Sequence, residues 1–418
     1  MARPLLRLAF PLMLVLAVPA LQVIIDRLAL SRTAGPAAVC THTVMLAAAT
    51  FVFIFFNGAN LFATAAVARL RRTNHALAEA FARDAYLVSI SYAILTFLLS
   101  LLPNHLLALL LGRDPSPDEE GLAQYLLWVV GLLLIQHATL VSSLARCSVR
   151  PLLLASTAGL LVHIALLALS LPTLTLIQAG AARYWGAVTS CGLSIYLSGD
   201  RGPRPPVSLP SRRTLREVAV QGTVVGLHSL AGFLFVGFLF FVALRETGEE
   251  SLAAGARAFG WYTFLGALPL AVAQATGILA SNSRDPVEGR LIIRTGVRLA
   301  AACSALVASL LVGTGVSAWA SEGSTDFVIA ALGIAAFSAL DGPGQAVACG
   351  LRGMGRQRSV LAATLVVGSA YTLAVFFVPG DTGRWVALGF YGGGLFLLLR
   401  KILHHEIPNA TSRGGRSL

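Results

Sequence analysis

The stretch Leu8–Arg32, LAFPLMLVLAVPALQVIIDRLALSR, decides the fold class of this chain. Its apolar run approaches the ~20 residues that a helix needs to cross the hydrocarbon core of a membrane. Asp26 lies near the end of the run, where a carboxylate is costly unless it faces the protein interior or water. The stretch therefore predicts a first membrane helix. Its only acid is either functional or an interfacial anion paired with Arg27 or Arg32 near the outer membrane surface.

The composition of the whole chain extends this interpretation. The 418 residues are 56% hydrophobic and only 12% charged, whereas a soluble domain carries about 25% charged residues. The formal net charge is +12, but the arginines lie mostly in short loops and form no basic face with a nucleic-acid-binding motif. The five cysteines have no CxxC spacing, which predicts reduced thiols. We expect a polytopic membrane protein with no cofactor, no metal and no nucleic-acid partner.

Twelve segments are apolar enough to span a membrane, and no alternating pattern indicates a barrel. Because backbone polar groups in lipid must be satisfied within the segment, each is predicted to be a helix. The predicted fold class is therefore all-α, with twelve transmembrane helices in two six-helix bundles. The segments are residues 6–27, 38–66, 82–102, 122–145, 151–171, 174–198, 216–244, 252–281, 292–319, 326–350, 358–379 and 384–402.

A proline-rich stretch, Gly199–Arg213, leaves six predicted spans on each side and reads as an extended linker. The predicted domains are an N-terminal lobe at 1–198, a cytoplasmic linker at 199–213, a C-terminal lobe at 214–403 and a cytoplasmic tail at 404–418. Loops on one side carry about four times as many basic residues as loops on the other. The positive-inside rule therefore predicts that both termini lie in the cytoplasm. We expect the chain to lie in the inner (plasma) membrane.

A paired-arginine motif follows the fourth predicted span and recurs after the tenth. The first copy runs from Leu144 to Arg150, LARCSVR, and the second from Gly350 to Arg356, GLRGMGR. An even number of spans per repeat gives both halves the same orientation. The sequence thus predicts two bundles related by a pseudo-two-fold axis along the membrane normal.

Three motifs together resemble the multidrug and toxic-compound extrusion (MATE) transporters, of the multidrug/oligosaccharidyl-lipid/polysaccharide flippase superfamily. They are the opening Leu8–Pro11, the segment Asp26–Arg32, and the GLRGMGRQR motif from Gly350 to Arg358. The resemblance implies a secondary antiporter that exports an amphipathic or cationic organic compound in exchange for protons. It implies rocker-switch alternating access and makes Asp26 the proton-coupling carboxylate.

The resemblance also suggests neighbours for Asp26. His163 falls on a polar position of the fifth helix and could hydrogen-bond Asp26 or titrate itself, and Thr189 matches a threonine of the sixth helix. Each has a structural alternative. A lone histidine can simply be packed in the core, and a threonine hydroxyl often bonds the backbone of its own helix.

In the C-terminal half, Asp341 and Gln345 lie at the offset before LRG where the family commonly has an aspartate and a glutamine. Gly342, Pro343 and Gly344 follow Asp341, which predicts a broken helix near a site, or a kink with Asp341 as a cap. In the sodium-coupled branch a glutamate on the seventh helix partners this aspartate, but here His228 or Ser229 stands there. Sodium is therefore less expected than protons, because hard cations need several oxygen ligands.

Further candidates for a substrate cavity are polar residues inside other spans, any of which could instead form helix–helix hydrogen bonds. No GxGxxG, Walker A, HExxH or GxSxG motif is present, so we expect no enzymatic activity. The expected partners are a small molecule, protons and the lipid bilayer, and the expected oligomeric state is a monomer. The alternatives are a flippase for a lipid-linked precursor and, with less support, a membrane-integral transferase. The candidate cavity residues are Asp341, Gln345, Asn57, Gln136, His228 and Gln274.

Overall fold

The structure is a computed structural model that describes residues 2–101, 114–199, 211–245, 249–323 and 325–406. Within these ranges the regular structure is helical, and no strand occurs. The predicted all-α class is therefore confirmed. Most of the predicted linker, residues 200–210, and the tail from residue 407 onward lie outside the described residues.

The first half of the chain forms seven helices among the described residues, several of them paired end to end. The short 3₁₀ turn Leu171–Thr173 precedes the last of them. In chain order the helices are α1 (Ala2–Thr33), α2 (Gly35–Phe56), α3 (Gly58–Leu70), α4 (His75–Leu99), α5 (Pro117–Ala145), α6 (Arg150–Ser170) and α7 (Leu176–Gly199).

The second half forms eight helices among the described residues. A π-helical segment, Leu234–Leu239, joins the first two, and such segments often occur near functional sites. The helices are α8 (Arg212–Phe233), α9 (Phe240–Arg245), α10 (Glu249–Leu265), α11 (Ala267–Ser281), α12 (Pro286–Glu322), α13 (Thr325–Gly353), α14 (Gln357–Phe377) and α15 (Asp381–Glu406).

Each of the twelve predicted spans coincides with a helix or an end-to-end pair of helices. Within the described ranges, 10 helices are long and apolar enough to cross a membrane, or up to 11 when the α10–α11 pair, bent by 45°, counts as one span. The remaining predicted span corresponds to α7, which has 24 residues but contains Arg183 and several polar side chains. The chain is a multi-pass membrane protein.

The helices group into two compact units, residues 15–226 and residues 1–14 with 227–418. The first unit has one apolar core around Leu122, Leu126 and Leu134 and another around Leu30 and Leu167. The second unit has a larger core, in which Phe240, Ile293, Leu311, Phe337 and Leu399 are fully buried or nearly so. The lobe limits predicted from the linker remain a prediction.

The two paired-arginine motifs end their helices with the same backbone cap. In the first copy the N–H of Ser148 donates to the Ser143 carbonyl across Cys147, whose φ is 60°. In the second, the N–H of Arg356 donates to the Leu351 carbonyl across Gly355, whose φ is 86°. This left-handed closure normally uses glycine. Cys147 therefore occupies a position that costs a non-glycine residue about 1–2 kcal/mol.

Candidate functional site

Asp26 lies at the centre of a fully buried polar cluster in the unit formed by residues 15–226. Arg183 Nε donates a hydrogen bond of 2.6 Å to Asp26 Oδ2. His42 Nε2 lies 3.3 Å from the same oxygen, and His163 Nε2 lies 2.8 Å from Oδ1. The carboxylate and both imidazoles are 0% exposed. We refer to Asp26, His42, His163 and Arg183 as the Asp26 cluster.

Four different helices supply the four members of the cluster: α1, α2, α6 and α7. Two glycines let α6 and α7 approach closely enough for His163 and Arg183 to share one carboxylate. A Cβ atom at Gly159 would lie 2.5 Å from the Gly186 carbonyl oxygen, and one at Gly186 would lie 2.7 Å from the Gly159 carbonyl oxygen. Small residues at facing positions allow such close approach of membrane helices.

The charges of the cluster do not cancel. Arg27, next to Asp26 on α1, interacts electrostatically with both Arg183 and His42. With neutral imidazoles, the region holds the buried carboxylate of Asp26, the buried guanidinium of Arg183 and the partly buried guanidinium of Arg27, which leaves one formal positive charge. Leu30 and Leu167 belong to the apolar core beside it. In such surroundings charge interactions are stronger than in water.

Several polar atoms of the cluster have no hydrogen-bond partner among the described residues. They include Nη2 of Arg183, both ring nitrogens of His42 and of His163, and Oδ1 of Asp26. Unpaired buried donors and acceptors each cost about 1–3 kcal/mol. They are rare enough in folded proteins to need a specific explanation. A site that exchanges protons is one explanation, because a neutral imidazole can accept a proton on its free nitrogen, whereas the guanidinium of Arg183 is only a donor.

The predicted neighbours of Asp26 have different outcomes. His163 lies beside the carboxylate, as the first of its two interpretations requires. The Thr189 hydroxyl donates to the Trp185 carbonyl at 3.0 Å, so it bonds its own helix, which was its structural alternative. Asp26 pairs with Arg183, which is distant in sequence, and the predicted pairing with Arg27 or Arg32 is not observed among its contacts.

The sequence interpretation missed His42 and the role of Arg183. Arg183 carried a usable signal, because it is a basic residue inside a predicted span and needs a counter-charge there. His42 carried the same kind of signal, since it is an ionisable residue inside the predicted span 38–66, but only the fold shows that Asp26 is its partner.

Asn57 and Gln136, two predicted cavity residues of the same unit, form hydrogen bonds between helices. Asn57, at the junction of α2 and α3, has its Oδ1 3.0 Å from His137 Nδ1 and accepts from Asn60 Nδ2 at 3.2 Å. Gln136 Nε2 donates to Ser190 Oγ at 2.7 Å. These contacts match the structural alternative, and neither residue contacts the Asp26 cluster through them.

In the other unit, Asp341 forms a second acidic site, and its side chain is partly buried. Tyr262 Oη donates to Asp341 Oδ2 at 2.6 Å, and Gln345 Nε2 donates to Oδ1 at 3.2 Å. Aromatic side chains surround the carboxylate. The Tyr262 ring lies 5.6 Å from Phe337 between ring centroids, and Tyr391 interacts electrostatically with Asp341.

The predicted break after Asp341 is wrong. Helix α13 continues through Gly342, Pro343 and Gly344 to Gly353. A proline in a membrane helix is tolerated where neighbouring helices enclose the weakened turn, and Gly342 and Pro343 are both buried in contact with neighbours. Asp341 also does not cap a turn, since both of its oxygens accept bonds from side chains.

His228 and Gln274 do not join the described contacts of Asp341. His228 Nδ1 lies 3.3 Å from Arg352 Nη1, and Arg352 Nη2 donates to Cys349 Sγ at 2.9 Å. His228 therefore belongs to the second paired-arginine motif. Gln274 is half-buried on α11. Among the described residues no group of three or more His, Cys, Asp or Glu side chains could hold a metal ion.

No protein-family model and no curated protein matches this sequence. Solved structures do match. An outward-facing multidrug resistance MATE family transporter of the MOP superfamily aligns with a TM-score of 0.81 at 15% identity, over 96% of this chain and 95% of that chain. The eukaryotic MATE transporter AtDTX14 aligns with a TM-score of 0.78 at 17% sequence identity, over 98% of this chain and 96% of that chain. A MOP superfamily transporter from Pyrococcus furiosus aligns with a TM-score of 0.74 at 17% sequence identity, over 96% of this chain and 95% of that chain. Its binding pocket is described as having reverse polarity. At this level of identity the likeness concerns architecture, and the chain has the fold of the MATE transporters.

Proposed function

We propose that this protein is a secondary antiporter that exports an amphipathic or cationic organic compound in exchange for protons. The observation that carries the proposal is the Asp26 cluster. A carboxylate and two imidazoles are buried inside a membrane protein, where ionisable groups are costly and typically serve transport. The fold is one that its structural neighbours use for transport.

The groups around the two carboxylates favour protons over sodium as the coupling ion. Nitrogen atoms of Arg183, His42 and His163 face the oxygens of Asp26. The oxygens of Asp341 accept bonds from two neutral side chains, Tyr262 and Gln345. The affinity of a hard cation depends on the number and charge of its oxygen ligands, and each of these sites offers a single carboxylate. A proton needs only one basic atom.

The Asp341 site supports an organic cation as the substrate. It combines one carboxylate with the rings of Tyr262, Phe337 and Tyr391. Ring faces attract cations through their quadrupole, by about 0.5–2 kcal/mol per contact. We assign Asp341 and Gln345 to substrate binding and the Asp26 cluster to proton exchange. Rocking of two lobes would expose the sites alternately, with both termini in the cytoplasm and the monomer as the functional unit.

Efflux from proteoliposomes tests this function. The purified protein is reconstituted with ethidium as the probe, and a pH gradient is imposed at fixed sodium concentration. We expect ethidium to move against the direction of proton flow. Replacement of sodium by choline at constant pH should leave the rate unchanged, and collapse of the pH gradient should stop transport. Sodium-dependent transport that persists without a pH gradient would contradict the proposal.

The excess positive charge beside Asp26 favours one second candidate, a flippase for a lipid-linked precursor. Arg27 and Arg183 outnumber the single carboxylate, and such a site suits an anionic head group. The same vesicles distinguish the two functions. Translocation of a fluorescent lipid diphosphate without proton-driven ethidium transport would favour the flippase.

A further inference from the structure

We propose that the exchanged proton resides on the imidazole pair His42 and His163, while Asp26 remains a carboxylate fixed to Arg183. This inference rests on the proposed proton antiport and deepens it. The resemblance to the MATE transporters, taken alone, makes Asp26 the proton carrier, and this inference gives Asp26 a different role. In the structure Asp26 holds the two histidines and Arg183 in place.

The first step concerns what protonation of Asp26 would leave behind. Arg183 bonds this carboxylate at 2.6 Å and is buried. A guanidinium keeps its charge in proteins. If Asp26 took the proton, the buried Arg183 and the partly buried Arg27 would be two cations with no acidic partner in the cluster. Leaving a buried charge uncompensated costs about 3–5 kcal/mol, so a cycle through neutral Asp26 would have to separate Arg183 from it.

The imidazoles can accept a proton without breaking that pair. His42 and His163 face different oxygens of Asp26, each through Nε2. A nitrogen that faces a carboxylate carries the N–H in the neutral ring, because two lone pairs would repel each other. The incoming proton therefore binds Nδ1, which in both rings has no hydrogen-bond partner among the described residues. The product is an imidazolium beside an existing carboxylate, and release from Nδ1 restores the neutral ring.

The charges that face the two rings come from α1, α6 and α7. Asp26 on α1 attracts a proton to both rings, while Arg27 on α1 and Arg183 on α7 oppose it at His42. A proton on His163 of α6 would add further repulsion at His42. One carboxylate thus compensates one imidazolium at a time. We infer that the pair carries a single proton that can reside on either ring.

A pocket at one end of this unit lies about one helical turn from His42, which is itself fully buried. Its volume is about 610 Å³, and Thr33, Ala38, Ser116 and Asp118 are among its lining residues. Ala38 and His42 are four residues apart on α2, so they lie on the same helix face one turn apart. In the predicted topology this end faces the outside, from which the driving proton arrives. His42 would be the first member of the cluster to meet it.

Histidine NMR and infrared spectroscopy test the location of the proton independently of transport. The protein has 8 histidines, and ring ¹⁵N signals of labelled protein can be assigned with His42→Gln and His163→Gln. On acidification of the wild type we expect a proton signal at Nδ1 of these rings and no protonated-carboxyl band that Asp26→Asn removes. A carboxyl band that appears on acidification and is lost in that variant would overturn the inference. Histidine signals that do not titrate would also overturn it.

Transport by matched variants completes the test. Asp26→Asn/Arg183→Gln removes one negative and one positive charge together. It should slow ethidium transport but leave the transport dependent on the pH gradient, whereas His42→Gln/His163→Gln should lose that dependence. The control, His75→Gln, alters an exposed residue outside the cluster. If the Asp26→Asn/Arg183→Gln variant folds and loses all pH dependence while the histidine variant keeps it, Asp26 is the carrier. A wild type that titrates at the histidines but does not transport would instead refute the proposed function.

Discussion

Replacement of Asp26 by asparagine is the perturbation whose energetic result follows most directly from the geometry. Asparagine keeps the size of the side chain but removes the charge that compensates Arg183. The guanidinium stays buried, with Arg27 as its neighbouring cation. Truncating one partner of such a pair costs about 3–5 kcal/mol, so we expect Asp26→Asn to lower the free energy of unfolding by that amount. Arg183→Gln should have an effect of similar size, because it leaves the carboxylate uncompensated.

The double variant separates a buried ion pair from two independent contributions. Asp26→Asn/Arg183→Gln leaves neither charge behind, so its loss of stability should be smaller than the sum of the single losses by about 3 kcal/mol. Reversible unfolding in mixed micelles, followed by circular dichroism, measures all four free energies. The control cycle uses the exposed pair of His75 and Glu79, 3.3 Å apart, where coupling should not exceed about 0.5 kcal/mol. Single effects that add within about 0.5 kcal/mol at the buried pair would refute this account of the cluster.

Three further predictions address other parts of the molecule. Gly159→Val should separate α6 from α7 and reduce proton-driven transport at least tenfold. The control Gly192→Val should leave the transport rate unchanged, because a Cβ atom at Gly192 meets nothing within 4 Å. Equal rates for the two variants would contradict the packing argument. Tyr262→Phe removes a hydroxyl that competes with a cation for Asp341, so the KM for ethidium should fall about threefold to tenfold, and a rise would contradict that role of the carboxylate. Burial raises the pKa of the Cys147 thiol, although two nearby arginines act against this. In a variant with Cys147 as its single cysteine, maleimide should therefore react more slowly at pH 8 than it does with a small free thiol, and the reaction should become faster as the pH rises. A rate equal to that of the free thiol would show that the Cys147 thiol is exposed.

Much of the fold could be predicted because long apolar runs leave few alternatives. A chain with so few charges must place its spans in lipid, and in lipid the backbone must be helical. The span at 174–198 is instructive, because it includes Arg183 and is less apolar than the others. It was assigned from its apolar content like the others, and the even number of spans that two cytoplasmic termini require agrees with that assignment.

The candidate site was only partly predictable, for reasons of packing. Asp26 and His163 stood out because each is an ionisable side chain in an apolar run. The partner roles of His42 and Tyr262 did not, since a partner role depends on which helix faces are neighbours, and periodicity within one segment does not determine that. The predicted break after Asp341 failed because glycine and proline were taken as helix breakers. In α13 the glycines instead allow close packing, and the helix continues past Pro343.

Substrate-driven proton movement tests the central claim, proton antiport, most directly. Proteoliposomes that contain a pH-sensitive dye are loaded with ethidium, diluted into ethidium-free buffer of equal pH, and held at zero membrane potential with valinomycin and potassium. In vesicles that export ethidium, antiport predicts that the interior becomes acidic at a rate proportional to ethidium efflux. Efflux with no change of internal pH, in the same vesicles and at the same rate, would contradict proton coupling.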